Sequence, residues 1–319
     1  MFRSLSLAAT ICLVSTAEIL FHLIARPAAS WLGRLEAEAD PAAYRIALAA
    51  GVLLALSFVT AQALTSSSRA LSTRGELDIL LASPVSARNV MTARALSIAA
   101  EAVASVAILV APVIDMNILA GRTHWLAAYA VLTGTGLFGT AIGLGLAVLL
   151  FTRMGPRRAR LVSQVGAAFI GGGFVLAAQV ANLLPSAWRD GMFAVLASQA
   201  RTGFAHGSLL WFPVRAITGD LVSLAICLLL PASIFALMTA ALGKTFGEIA
   251  LAASGASAAA PRGRLRATRA FRTGVRRALR RKELLLIARD PWLVSQIFLQ
   301  IVYVLPVVVI LLNLSLIHI

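Results

Sequence analysis

The feature that most constrains this chain is the recurrence of apolar runs about 20 residues long, the length a helix needs to cross a bilayer. Such runs lie near 6–26, 46–66, 92–114, 124–151, 161–183, 221–243 and 293–313. Inside hydrocarbon every backbone N–H and C=O must find a partner, and a helix supplies all of them within one segment. The expected fold is therefore all-α: a polytopic transmembrane helix bundle of six spans, followed by the first span of a second half. Composition points the same way. Of 319 residues, 60% are hydrophobic and 13% are charged, whereas soluble domains hold roughly 45–50% apolar residues.

The charge balance is basic, with 28 Lys+Arg against 13 Asp+Glu and a net charge of +15. Such an excess can serve nucleic acid. Here the arginines crowd between the apolar runs, as the positive-inside rule requires, so the expected partner is the lipid bilayer and not nucleic acid. Loop 67–91 carries Arg69, Arg74 and Arg88, and loop 152–160 carries Arg153, Arg157, Arg158 and Arg160 without an acid. Segment 244–291 is the most basic of all. The alternating connections are mixed: Glu36, Glu38 and Asp40 balance Arg34 and Arg45, and Asp115 balances Arg122. This alternation predicts a multi-pass protein of the cytoplasmic (inner) membrane, with the N-terminus and loops 67–91, 152–160 and 244–291 in the cytoplasm. Cys12 and Cys227 sit within apolar runs and suggest no disulfide framework.

The organisation reads as follows. Residues 1–245 form a six-span half with a cytoplasmic loop at 67–91. Residues 246–270 are rich in small residues and read as a linker. A basic interfacial helix is expected over 271–291, with Arg276, Arg277, Arg280, Arg281 and Lys282 crowded before Leu284, Leu285, Leu286 and Ile287. Pro291 ends it, and a seventh span follows over 292–313. The hexapeptide 314–319 is what a transposon-end sequencing adapter encodes. It is expected to be a scar, with the natural chain continuing beyond Asn313.

Loop 67–91 is the most informative connection. Thr73 and Glu76 have the spacing of a capping box, so a helix can begin at Arg74. Leu77, Leu80 and Leu81 share one face, Asp78 stands away from it, and Pro84 stops the helix. Two readings stand: a solvated loop whose leucines dip into the interface, or a docking helix for a cytoplasmic partner. Charges inside spans cost about 3 kcal/mol near a helix centre, so Glu101 and Glu18, with His22 one turn on, form the candidate intramembrane polar site. They line a substrate path or proton relay, or else lie near span ends or pair within the bundle. His124 and His206 have no second ligand at metal spacing, and neither a metal site nor a catalytic cluster is expected. Gly139 and Gly143 have the spacing that draws helices together, and Gly171, Gly172 and Gly173 are expected to interrupt the fifth span. Segment 184–220, with Trp188, Phe193, Phe204, Trp211 and Phe212, suits interfacial or re-entrant helices.

The stretch Arg74-Gly-Glu-Leu-Asp-Ile-Leu-Leu-Ala-Ser-Pro84 resembles the first cytoplasmic loop of type-2 ABC transporter permeases, the exporter-type membrane subunits. Lys282-Glu-Leu-Leu-Leu-Ile-Ala-Arg-Asp-Pro291, followed by Trp292, resembles the elbow helix before the first span of a permease half in that group. The resemblance covers these two stretches and the order of spans. It implies a coupling helix that docks in an ATPase groove through Glu76, Leu77, Asp78, Leu80 and Leu81. It also implies an elbow role for Lys282, Glu283, Arg289 and Asp290. The chain start, Met-Phe-Arg-Ser-Leu, has no elbow before the first run.

No nucleotide site is expected in this chain. Gly243-Lys244-Thr245 has the end of a P-loop, but Met238 stands where the pattern needs its first glycine. The expectation is thus a permease without its own catalytic centre or cofactor, driven by a separate ABC ATPase, expected as a homodimer, that binds the ATP. An ion-coupled secondary transporter or a non-transporting scaffold are the alternatives.

Overall fold

The computed structural model describes residues 7–38, 40–72, 86–183, 185–205 and 208–255, with 279–280, 282–286, 293, 296–297, 300 and 304 beyond them. Among these residues every regular element is helical. Helix α1 is Leu7–Ala37, α2 Ala42–Ser72, α3 Ala87–Leu119 and α4 Leu126–Leu183. They are followed by α5 Ser186–Ala205, the short α6 Phe212–Ile217 and α7 Leu221–Gly255. Two 3-10 turns, Thr123–Trp125 and Leu209–Trp211, precede α4 and α6.

Local chemistry explains the starts and stops. The Asp40 carboxylate accepts the Ala42 amide at 3.1 Å, Pro41 sits at the helix entrance, and α2 begins. Ser86 accepts the Asn89 amide at 3.3 Å ahead of α3, and Asp220 accepts the Val222 amide at 3.1 Å ahead of α7. Gly121 closes α3 with φ +88°, which lets the Arg122 amide reach back to the Asn117 carbonyl at 3.1 Å. Helix α4 contains one non-helical residue, Gly155, with φ 73° and ψ 165°.

The chain is a membrane-embedded helical protein. Four segments, Ala42–Leu71, Arg88–Leu119, Thr123–Gly155 and Leu221–Gly243, are long and apolar enough to cross a bilayer. They correspond to the second, third, fourth and sixth apolar runs. The first and fifth runs lie on α1 and on the second arm of α4, and the range read as the seventh lies mostly outside the described residues. Exposed apolar side chains are numerous, among them Leu23 at 59%, Leu109 at 61% and Leu237 at 72%. Water would penalise so much exposed apolar surface, and lipid does not.

The helices contribute to two compact units. The first contains residues 1–59, 100–138 and 185–234. Its core gathers Tyr44, Ile114, Trp125, Trp211 and Val214, so each 3-10 turn delivers a buried tryptophan to it. Gly203 has no side chain where the Trp211 indole lies. The second unit contains 60–99, 139–184 and 235–319. Here a Cβ on Gly143 would sit 2.7 Å from the Leu64 amide, and one on Gly166 would touch the Leu64 side chain at 3.8 Å. In one straight helix Gly143 and Gly166 would stand about 35 Å apart. Both meet Leu64 because α4 folds back at Gly155 into a hairpin.

Three sequence readings change in detail. Loop 152–160 is helical on both sides of Gly155. The helix runs through Gly171, Gly172 and Gly173 without a break. Helix α7 continues to Gly255, ten residues into the range read as a linker.

Candidate functional site

The first unit holds a cluster of charged and polar side chains, built on α1, the end of α3 and the start of α4. Asp115 lies on α3, one turn before its end, and not in the connection that follows. Its carboxylate accepts the Tyr129 hydroxyl at 2.5 Å and lies 3.3 Å from His22 Nε2. His22 Nδ1 is 2.8 Å from the Glu18 carbonyl. Both ring nitrogens thus face acceptors, and only the doubly protonated ring donates to both. In the connection after α3, Arg122 donates to Asn117 at 2.6 Å and pairs through Nε with Glu36 at 3.1 Å. His124 Nε2 lies 3.1 Å from the other Glu36 oxygen.

A second group ties α5 to the α1–α2 connection. Arg201 pairs with Asp40, and the Arg45 guanidinium donates to the Ala200 carbonyl at 3.2 Å. Arg45 also lies 3.8 Å over the Phe204 ring. The Arg201 hydrogen bond, joined by the Ala42 amide, holds the Asp40 carboxyl below the usual carboxylate range. Asp220 is held low as well, first by the Ser223 hydroxyl at 2.6 Å, with Arg215 alongside at 2.8 Å.

The same unit contains an apolar cavity of about 410 Å³ between α2, α4 and α7, with Leu209 and Leu210 also lining it. Leu53, Phe138 and Ile234 line it, and Thr135 is one of its few polar groups. That volume is in the range of small-molecule sites. Its lining would receive an apolar or amphiphilic ligand far better than a charged one.

The residues singled out from sequence are distributed as follows. Glu18 lies on an exposed face of α1 and lends its carbonyl to His22. Glu101 is on an exposed face of α3. Lys282 and Glu283 are exposed within a helical stretch whose Leu284, Leu285 and Leu286 are exposed too. Glu76, Leu77, Asp78, Leu80 and Leu81, and Arg289 and Asp290, lie outside the described residues. Among the described residues no group of three His, Cys, Asp or Glu side chains could hold a metal ion.

Sequence reasoning missed the partnership of Asp115 with Tyr129 and His22. The sequence reading ends the third run at residue 114 and leaves Asp115 in the following connection, balancing Arg122. Arg26, Ser30 and Arg34, four residues apart on α1, share one helix face, a pattern carried by the sequence itself.

No protein-family model matches the chain, no curated protein matches it, and no solved structure matches its fold.

Proposed function

We propose that the chain is the membrane-spanning permease subunit of an ATP-binding cassette exporter. It moves its substrate by alternating access across the cytoplasmic membrane, driven by a separate ATPase dimer. The observation that carries this reading is the pair of sequence segments 74–84 and 282–291. They follow the family's order, and each precedes the expected apolar run. It is supported by the apolar helices α2, α3, α4 and α7 and by helices α5 and α6 before α7. The apolar cavity is the natural place for a substrate in this reading. Segment 74–82 transmits the ATPase motion through its apolar face.

The decisive experiment is a pull-down of the tagged chain with its ATPase. Leu80→Asp places an unpaired charge at the contact, which is severely unfavourable. ATPase recovery should fall at least tenfold at unchanged membrane abundance, while Arg158→Asp on another basic connection should have a smaller effect. Equal recovery for all three chains would remove the coupling role and leave the permease reading without its main support.

A second reading, ion-coupled secondary transport, draws on the His22–Asp115–Tyr129 network, which puts a carboxylate and an imidazole in contact beside apolar helices. Uptake into proteoliposomes under a pH gradient without ATP, lost in Asp115→Asn, would favour it.

A further inference from the structure

We propose that a cavity between α1 and the end of α3 holds the phosphate of a membrane phospholipid, with Arg26, Arg34 and Arg122 as its ligands. The cavity measures about 560 Å³. Three guanidinium groups and the Ser30 hydroxyl line it, and no carboxylate does. A phosphodiester offers one negative charge and two terminal oxygens, which guanidinium groups bind through paired charge-assisted hydrogen bonds.

The basic face is prearranged. Arg26, Ser30 and Arg34 succeed one another at four-residue intervals along α1, on one side of the helix. Arg122 comes from the other wall and is already held through Nε by Glu36 and through Nη1 by Asn117. Its guanidinium occupies the space where Gly33 would otherwise carry a side chain. A glycine at 33 therefore lets the third arginine lie flat against α1. Because Arg122 is fixed before a ligand arrives, little further side-chain entropy is lost when one binds.

The surroundings favour a lipid over free phosphate. The cavity adjoins a second one of about 330 Å³, and Arg26 and Met116 line both. Ile19 and Leu23 line the second cavity, and both are exposed, at 61% and 59%. Leu119, 78% exposed, lines the basic cavity itself. Glu18 also lines the second cavity, but eight residues from Arg26, about 12 Å along the helix. The phosphate thus lies among arginines while acyl chains continue over apolar side chains. On the topology proposed from loop charge, this end faces away from the cytoplasm, where arginine is disfavoured. Glu36 already pairs with Arg122, whereas Arg26 and Arg34 have no ion pair among the described residues, and an anionic ligand explains their presence in this cavity. The proposal holds for either transport reading.

The test is native mass spectrometry of the full-length chain in detergent, titrated with dioleoylphosphatidylglycerol, dioleoylglycerol or inorganic phosphate. The phosphatidylglycerol should be retained, and neither of the other two should bind comparably or displace it. The double variant Arg26→Gln/Arg34→Gln should lose affinity at least tenfold, whereas Arg189→Gln, an exposed arginine on α5, should match the unaltered chain. Retention by the double variant within about twofold of the unaltered chain overturns the proposal. So does equal binding of dioleoylglycerol, which would make the site merely apolar. Displacement by millimolar inorganic phosphate would assign a free-phosphate site and equally overturn the lipid assignment. The competition arms use the unaltered chain and decide the question even if a variant yields no protein.

Discussion

At Gly134 the missing side chain is what brings α4 against α7. A Cβ there would fall on the Cys227 carbonyl oxygen. That carbonyl would ordinarily accept the amide four residues on, but residue 231 is proline and has no N–H. The Gly134 α-carbon therefore approaches an acceptor with no helical donor, a geometry suited to a Cα–H···O contact. Gly134→Ala should destabilise the protein by about 1–3 kcal/mol, because backbone and not a flexible side chain must move. Gly51 provides the contrast, since a Cβ there meets nothing within 4 Å. Gly51→Ala should be neutral or stabilising by up to about 1 kcal/mol through helix propensity. Unfolding of both variants in detergent checks the pair, and a gain in stability for Gly134→Ala would refute the close approach. Both glycines were visible in the sequence, but only the position of Cys227 distinguishes them.

At the scale of elements, the α4 hairpin depends on one residue. Gly155 has φ 73° and ψ 165°, a region that essentially only glycine occupies. No atom lies within 4 Å of a Cβ built there, so the backbone alone opposes a side chain. Gly155→Ala should cost about 1–3 kcal/mol. The same unfolding measurement applies, and an unchanged midpoint would contradict the turn. This hairpin was legible in outline: Gly155-Pro156 and four arginines separate two apolar runs. The starts of α2 and α7 were legible too, as Asp40 and Asp220 each precede an apolar run. Helix α5 was harder to read. Its Trp188 and Phe193 are exposed while Ala197 and Ala200 are buried, so its inner face consists of small residues that hydrophobicity underweights.

For the whole molecule, the connections sort by unit. Residues from the α1–α2 turn, the α3–α4 turn and α5 bond one another within the first unit through Glu36 with Arg122 and Asp40 with Arg201. In the second unit a Cβ on Gly243 would meet the Arg88 backbone at 3.2 Å. The orientation proposed from alternating loop charge puts the first group outside and the second in the cytoplasm. It gives a labelling prediction in a chain lacking Cys12 and Cys227. Leu119→Cys, at an exposed position, should react with a membrane-impermeant thiol reagent on intact cells, and Arg158→Cys should not. Reaction at both, or the reverse pattern, would invert or abolish the proposed orientation.

What the sequence by itself determined was the solvent and the element type. Apolar runs of spanning length leave a backbone in lipid no economical choice but the helix, and this depends on local composition alone. Local chemistry also placed helix starts and the α4 turn, because a capping carboxylate or a glycine before proline acts within a few residues. What only the tertiary structure decided was which polar groups meet. His22 and Asp115 are 93 residues apart, Asp40 and Arg201 are 161 apart, and nothing in the spacing of either pair announces a contact. The same holds for the basic cavity, where Arg26 and Arg34 share a helix face that the sequence prescribes. Arg122, three residues past the end of α3, joins them at Gly33, where a residue with no side chain leaves space for a guanidinium.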